Sequence, residues 1–236
     1  MSVTLKNCAK PYALRNRFVS SLLGKKYFGL AELDRKLLEY IDFRNGYFVE
    51  LGANDGITQS NTKHLELFRG WRGILIEPSP KKFAELKKNR SKRNLFFNCA
   101  CVAFDFTKPE IEMLYSNLMS VTLEGRSDLP DRLEHARKGE VHSEREKSFS
   151  FRIPARTLQD IFEEAYCPKL IDFMSLDVEG AELEVLCGVD FQKTNFRNLL
   201  IETRSIEEIR SYLTERNYVE VARLSHHDYL FRWNQA

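Results

Sequence analysis

The sequence lacks any apolar run long enough to cross a bilayer. Its unbroken apolar runs extend for only a few residues, whereas a membrane-spanning helix needs about 20. The opening residues, MSVTLKNCAKPYALRNRF, also lack the apolar stretch of a secretory signal peptide. We therefore expect a soluble, cytoplasmic protein that does not span a membrane.

A charge excess of one sign is also missing. The chain has 36 Lys and Arg residues against 34 Asp and Glu, which leaves a formal charge of +2. Proteins that bind nucleic acid normally carry a clustered basic stripe. The near balance therefore predicts that nucleic acid is not a partner.

Cysteines are few, and they do not stand at metal-binding spacing. No second Cys or His pair accompanies the closest two cysteines, as a zinc site would require. An odd number of scattered cysteines favours reduced thiols that pack in the core. The five are Cys8, Cys99, Cys101, Cys167 and Cys187.

What the sequence does contain is an alternation of short apolar runs with helical patterns. The runs GYFVEL, GILIE, LFFNCACVAF, LIDFMSLDV and NLLIE suit parallel strands that are covered on both faces. Between them, apolar residues at spacings of three and four predict helices. The C-terminal YVEVARLSHHDYLFRW predicts a hairpin and one antiparallel strand. The fold class is therefore α/β, with ligands expected at the carboxyl ends of the strands.

The chain divides into a lead-in and one main domain. Residues 1–45 are predicted to form an N-terminal helical lead-in, with Leu33, Leu37 and Ile41 on one helical face. Residues 46–236 form the main domain. Within it, residues 124–148 are dense in charge and predict an insertion outside the core, either a solvated excursion or a lid over an acceptor.

The stretch YFVELGANDGITQSNT, residues 47–62, places a Gly-rich turn after a strand but adds two acids, Glu50 and Asp55. Carboxylates there would repel the pyrophosphate of a dinucleotide, and the glycines Gly52 and Gly56 have G-x-x-x-G spacing. A ligand with a nucleoside, no phosphates and a positive charge fits better. S-adenosylmethionine has these features, and Glu77 at the end of the second strand is placed to accept its ribose hydroxyls.

Three strings together, FVELGANDGITQSNT, GWRGILIEPSPKKFAELKKNR and SLDVEGAELEVLCGVDF, resemble the FkbM-type methyltransferases. The resemblance spans about residues 40 to 235. It implies a class I, Rossmann-like fold with a mostly parallel seven-stranded sheet, helices on both faces and an antiparallel C-terminal hairpin strand. It also implies S-adenosylmethionine as cofactor and O-methylation, commonly of a sugar hydroxyl in a polysaccharide, glycan or glycosylated natural product.

The resemblance also assigns residues. Glu50, Gly52 and Gly56 belong to its cofactor loop, Glu77 to its ribose site, and Asp177, Glu179 and Gly180 to its DVEG signature. We expect the neighbours of these motifs to join the cofactor site. The full set of predicted cofactor residues is Glu50, Gly52, Ala53, Asn54, Asp55, Gly56, Glu77, Pro78, Asn98, Cys99 and Asp177.

Methyl transfer to a hydroxyl also needs a group that takes up the proton. Asp177 and Glu179 stand at the end of the fourth predicted strand, and Glu202 stands at the end of the fifth. These acids are the predicted catalytic residues. Asp177 and Glu202 could instead hold a divalent ion, Mg or Mn, and Glu179 could serve only as a helix N-terminal acid.

Several alternatives stay open at this point. His142, His226 and His227 are alternative bases. The acceptor could be a small natural product instead of a glycan. A nicotinamide-dependent oxidoreductase would share the sheet and Glu77, and a non-catalytic binding module would bind cofactor without turnover.

Overall fold

The computed structural model describes residues 24–142 and 148–234. The strands are β1 (Tyr47–Leu51), β2 (Arg72–Ile76), β3 (Leu95–Phe97), β4 (Ala100–Val102), β5 (Glu110–Tyr115), β6 (Val121–Thr122), β7 (Phe149–Thr157), β8 (Leu170–Leu176), β9 (Asn195–Glu202), β10 (Tyr218–Arg223) and β11 (Asp228–Trp233). The α-helices are α1 (Leu33–Lys36), α2 (Lys63–Arg69), α3 (Pro80–Asn89), α4 (Arg132–His142), α5 (Leu158–Glu164), α6 (Glu182–Leu186) and α7 (Ile206–Thr214).

Seven strands form the main sheet in the order β10-β11-β9-β8-β1-β2-β3. Strand β1 lies near its centre and pairs in parallel with β2 and β8. Strand β11 runs antiparallel to both of its neighbours, β9 and β10. This confirms the predicted α/β fold with a mostly parallel seven-stranded sheet and an antiparallel C-terminal hairpin.

Helices cover both faces of this sheet because successive strand residues point in opposite directions. On β1, Phe48 packs in the cluster that includes Leu65 of α2 and Leu86 of α3. The next residue, Val49, packs in the opposite cluster with residues of α5, α6 and α7. Each fully buried side chain of this kind contributes about 1.5–3 kcal/mol, which explains why both faces of the predicted runs are apolar.

The run at residues 95–104 does not form one strand, as the sequence predicted. It forms β3 in the main sheet and β4 in a second sheet. Between them, Asn98 Nδ2 donates hydrogen bonds to the carbonyl oxygens of Glu77 (2.8 Å) and Pro78 (3.0 Å). These tertiary hydrogen bonds turn the chain, and apolar periodicity carries no signal for them.

The lead-in is described from residue 24, so residues 1–23 of the prediction lie outside the described residues. In place of one helix, the chain makes a 3-10 turn at Leu30–Glu32, helix α1 and a second 3-10 turn at Leu37–Glu39. Ala31 and Glu32 have left-handed φ angles of 47° and 57° and break the helix. Leu33, Leu37 and Ile41 are buried nonetheless.

The second sheet has the order β4-β7-β5-β6, and its strands β5, β6 and β7 were not predicted. Helix α4, inside the segment predicted as an insertion, packs beside β6 and a 3-10 turn at Asn117–Met119. Ala136 of this helix is fully buried. Residues 143–147 of the predicted lid lie outside the described residues. None of the helices in residues 24–142 and 148–234 combines the length and the apolarity that crossing a membrane requires.

A buried ion-pair network joins the first strand to the two helices that follow it. The guanidinium of Arg90, which is fully buried, donates to Glu50 Oε2 and to Glu66 Oε2, each at 2.9 Å. The third guanidinium nitrogen of Arg90, Nη2, donates to Thr62 Oγ1 at 2.8 Å. Lys63 Nζ lies 3.4 Å from Glu66 Oε1. The network therefore balances two buried acids with two buried bases.

Removing Arg90 should destabilise the fold strongly. Arg90→Ala leaves Glu50 and Glu66 buried without their main partner, so we expect the free energy of unfolding to fall by about 3–5 kcal/mol in urea denaturation. The matched control is Arg93→Ala, because Arg93 is exposed. A loss no larger than that of this control would show that the network does not carry the stability assigned to it.

Candidate active site

A cavity of about 360 Å³ lies at the carboxyl ends of the central strands. The main sheet supplies its floor, and the second sheet with the 3-10 turn at Asn117–Met119 supplies its roof. The floor includes Gly52, Asn54, Glu77, Pro78, Asp177, Glu179 and Glu202. The roof includes Met113, Ser116, Leu118, Met119, Ser120, Thr122 and Gly139.

Gly52 begins the loop after β1 and lets the backbone of this loop lie very close to the backbone of Asp177. Its φ is +71°, and a Cβ atom there would overlap the carbonyl oxygen of Asp177. Only glycine fits this position without displacing the backbone. The loop is therefore pressed directly against the DVEG turn.

The two acids of this loop hold the loop itself. Glu50 accepts hydrogen bonds from the backbone of Asn61 and from the Ser60 and Thr62 hydroxyls, besides Arg90. Asp55 Oδ1 accepts from the backbone nitrogens of Ile57 and Thr58 at 2.8 and 2.7 Å. Neither carboxylate is among the residues that line the cavity.

The environment of Asp55 favours its ionised form. Burial alone would raise the pKa of Asp55, but the hydrogen bonds from Thr58 and Ile57, together with the nearby charge of Lys82, lower it overall. Ala53 and Gly56 also lie outside the cavity lining. Ala53 donates its N–H to the Ile76 carbonyl at 3.1 Å, and Gly56 gives room to Arg90 and Leu86.

Glu77 is buried and lines the cavity at the end of β2. Its Oε2 accepts from the backbone nitrogen of Asn54, and its Oε1 accepts from that of Ser79, both at 2.8 Å. Burial raises the pKa of Glu77 to about 7, although these hydrogen bonds oppose the rise. Cys99 lines the cavity, whereas Asn98 supports the Glu77–Pro78 backbone from outside the lining.

Asp177 and Glu202 form a carboxyl pair on the neighbouring ends of β8 and β9. Burial and the negative charges of Glu202 and Glu179 raise the pKa of Asp177 well above its usual range. Burial and nearby Glu179 and Asp228 raise the pKa of Glu202 to about 7, and a hydrogen bond with Asp177 acts in the opposite direction. Near neutral pH the pair therefore holds a proton.

Glu179 lies beside this pair in a strained turn. Its φ is +54°, a left-handed value that a residue with a Cβ rarely adopts. Helix α6 begins three residues later, and its first-turn acids are Glu182 and Glu184. Glu179 therefore lies before helix α6. Stabilisation by the dipole of that helix was the alternative role predicted for this acid. Its Oε2 lies 2.7 Å from His135 Nε2 and 3.7 Å from Arg204 Nη2.

Glu182 fixes the DVEG turn, although the sequence patterns did not single it out. Its Oε1 accepts from the backbone nitrogens of Val178 and Gly180, both at 3.1 Å. Burial raises the pKa of Glu182 to about 8. His135 gave no sequence signal either, because it stands in the charge-dense segment.

Two of the histidines that were considered as bases, His226 and His227, are not among the described residues that line the cavity. His226 and His227 stack on each other in the turn between β10 and β11, with ring centroids 4.5 Å apart. His142 ends helix α4, and its side chain lies outside the described residues.

No group of three or more His, Cys, Asp or Glu side chains in residues 24–142 and 148–234 is arranged to hold a metal ion. Asp177 and Glu202 supply two carboxylates, so an ion there would need water or an acceptor to complete its coordination. Their assignment as metal ligands stays a prediction. The four described cysteines are free thiols, and Cys99 and Cys101 are buried.

The sheet order, the cavity at the strand ends and the glycine-rich first loop define a class I methyltransferase fold. The chain belongs to the FkbM methyltransferase family, since the model of the methyltransferase FkbM domain matches residues 50–220.

Solved structures resemble the chain at low sequence identity. A human methyltransferase 10 domain containing protein is 11% identical, with 99% of this chain and 98% of that chain covered and a TM-score of 0.47. A precorrin-6y C5,15-methyltransferase from Geobacter metallireducens is 12% identical, with 89% and 95% covered and a TM-score of 0.41. The comparison with curated proteins gave no match.

Glu182→Gln should flatten the pH dependence of stability. The folded-state pKa of Glu182, about 8, lies above its ordinary value of 4.5, so its contribution is present at low pH and is lost as the pH rises through about 8. Glutamine stays neutral and keeps the acceptor oxygen. At pH 8 we expect the variant to unfold with a free energy higher than wild type by on the order of 2 kcal/mol.

Urea denaturation between pH 5 and 8 measures this effect, with Glu208→Gln, an exposed acid on α7, as the matched control. A variant whose stability changes with pH as steeply as that of wild type would show that Glu182 is not the group responsible.

Proposed function

We propose that this protein transfers a methyl group from S-adenosylmethionine to a hydroxyl group, with a sugar of a glycan or polysaccharide as the acceptor. The observation that carries the proposal is that one cavity combines buried Glu77 with the Asp177 and Glu202 pair. The first group suits a ribose, and the second suits removal of a hydroxyl proton.

The charges around the cavity support a cofactor without phosphates. Lys82 is the only basic side chain among the described residues that line it, whereas Glu77, Asp177, Glu179 and Glu202 are acidic. Such a lining offers one cation to neutralise the pyrophosphate of a nicotinamide dinucleotide, and its carboxyl groups attract a sulfonium or an ammonium group as they ionise. The oxidoreductase alternative is therefore disfavoured.

Glu77 has the capacity to bind a ribose diol. A carboxylate can accept about four hydrogen bonds, and two of these positions are taken by the Asn54 and Ser79 nitrogens. The other two can accept the hydroxyls. Because such hydrogen bonds favour the ionised carboxylate, cofactor binding should release a proton from Glu77 below its pKa of about 7.

When bound, S-adenosylmethionine supplies an electrophilic methyl group. The acceptor hydroxyl must then lie in line with the bond that breaks, and its proton must move to a base. The Asp177 and Glu202 pair supports this role because its ionised fraction changes near neutral pH. Asp177 and Glu202 would take up the hydroxyl proton as the acceptor oxygen receives the methyl group and the methyl–sulfur bond of bound S-adenosylmethionine breaks.

The roof favours one alternative acceptor, a small natural product with an apolar body. Met113, Leu118 and Met119 line the cavity from above. Leu30 and Leu118, which also line it, are 56% and 37% exposed. An apolar acceptor would cover these side chains, whereas the Ser116 and Ser120 hydroxyls are already donating to the backbone.

Glu77→Ala should weaken binding of S-adenosylmethionine, and of its product S-adenosylhomocysteine, by about 2 kcal/mol, the range for a charged hydrogen bond. Isothermal titration at pH 8 measures the loss, and Glu215→Ala on the exposed end of α7 is the control. In wild type, affinity should increase as the pH rises through about 7, because Glu77 ionises there. An affinity that is independent of both the mutation and the pH would remove Glu77 from the ribose site.

Asp177→Asn should lower methyl transfer by roughly 100-fold or more, the range for loss of a positioned base. The assay screens labelled S-adenosylmethionine against sugar nucleotides, free glycans, glycosylated small molecules, apolar alcohols and RNA, with and without a chelator. The matched control is Asp160→Asn, an exposed acid outside the cavity lining. The wild-type rate should rise with pH through about 7 as Glu202 loses its proton.

The arms of the screen separate the alternatives. Loss of activity with the chelator and its return with Mg or Mn would assign Asp177 and Glu202 as metal ligands. Transfer only to RNA or to amines would contradict the hydroxyl assignment. Cofactor binding without transfer to any acceptor would favour the non-catalytic binding module.

A further inference from the structure

Helix α4 contacts the DVEG turn through one polar pair. His135 Nε2 lies 2.7 Å from Glu179 Oε2, and the side chains of His135 and Glu179 are 8% and 18% exposed. When Glu179 is ionised it can only accept, so His135 must carry a proton on Nε2 and donate it. The pair links two segments that are 44 residues apart in the chain.

Other contacts attach the same helix to the roof of the cavity. Arg132 Nη1 donates to the carbonyl oxygens of Thr122 (3.1 Å) and Glu124 (3.0 Å). Ser116 Oγ donates to the Ala136 carbonyl. Gly139, one turn after His135, packs so closely against Ser116 that a Cβ atom at this position would overlap it. The helix is therefore attached to the roof, and His135 contacts the floor. Just before the helix, Asp128 also donates its backbone N–H to the Gly180 carbonyl oxygen at 2.9 Å.

Glu179 needs such a partner because its backbone is strained. A left-handed φ is unfavourable for a residue with a Cβ and persists only where surrounding contacts hold it. Glu182 holds the adjacent backbone nitrogens of Val178 and Gly180, but it does not hold the Glu179 side chain. His135 and, at a longer distance, Arg204 do.

We infer that His135 is a positioning residue, which holds the Glu179 carboxylate at the acceptor end of the cavity and joins the roof helix to the DVEG turn. The inference rests on the proposed function for the role of Glu179 in catalysis. The mechanical link between helix and turn does not depend on it. His135 lies outside the cavity lining, so it acts through Glu179.

Hydrogen exchange tests the link without any acceptor. In His135→Phe, which keeps a ring but removes the donor, the amides of residues 178–181 should exchange about 10-fold faster, within the range for coupled polar contacts. In Glu179→Gln, the amides of helix α4 should exchange faster. Glu134→Gln, on the exposed side of the same helix, is the matched control and should leave residues 178–181 unchanged.

His135→Gln provides the conservative variant, because its amide can donate from nearly the same place. We expect it to restore slow exchange at residues 178–181. If His135→Phe speeds exchange only within α4 and leaves the turn as in wild type, the link is disproved. This measurement decides the inference even where the proposed acceptor chemistry fails.

Turnover with an acceptor identified in the screen tests the positioning role. We expect His135→Phe to lower kcat about 10-fold with an unchanged KM for S-adenosylmethionine, since the contact lies away from Glu77. His135→Gln should recover most of the loss, and His135→Phe should have no further effect in a Glu179→Gln background. Wild-type kcat in His135→Phe, or additive losses in the double variant, would overturn the role.

Discussion

The loop after β1 depends on the buried guanidinium of Arg90. Burying an ion costs several kcal/mol unless its partners are complete, and here Glu50 and Glu66 supply them from β1 and α2. The same group donates to Ser60 and Thr62 in the loop that follows β1. The end of the central strand, the loop and two helices therefore share one electrostatic centre. This accounts for the acids Glu50 and Asp55 in the glycine-rich segment, because their hydrogen bonds hold the loop in place.

The carboxyl ends of β8 and β9 differ from this network, because the acidic groups there outnumber their cationic partners. Asp177, Glu202 and Glu182 all have raised pKa values because they are buried near one another and near further acids. In the folded state these carboxyl groups keep their protons near neutral pH, and this avoids repulsion between neighbouring negative charges. A positively charged ligand would relieve it. Under the proposed function, binding of a cation there would favour release of these protons, whereas the Arg90 network is neutralised by its own acids.

The fold could be predicted from the sequence where burial alone determines it. The runs that became β1, β2, β8 and β9 are buried on both faces, so their apolar composition shows directly in the sequence. The break between β3 and β4 could not be predicted, because it follows from hydrogen bonds of Asn98 to a distant turn. Strand β7 is mostly exposed or half-buried along Phe149–Thr157, which explains why apolar periodicity gave no signal for this strand of the second sheet.

The same distinction holds for the candidate site. Gly52, Asn54 and Glu77 were predicted, and they line the cavity together with Pro78, Cys99, Asp177, Glu179 and Glu202. Glu50, Asp55 and Asn98 were predicted as cofactor residues, but the structure gives them supporting contacts behind the lining. Spacing along a motif identifies the loop, yet it does not tell which of two adjacent side chains faces the ligand. Their assignment to direct cofactor contact stays a prediction.

The floor and the roof of the cavity differ in how strongly their structure restricts the amino-acid sequence. The floor comes from strand ends and tight turns, where the backbone geometry restricts the residue types, so a short motif identifies it. The roof comes from β5, β6 and α4, whose contacts are made by carbonyl groups and by side chains such as Arg132 that many sequences could supply. Under the proposed function, the roof would determine acceptor recognition while the floor keeps the cofactor chemistry, and the contact between His135 and Glu179 would connect the two.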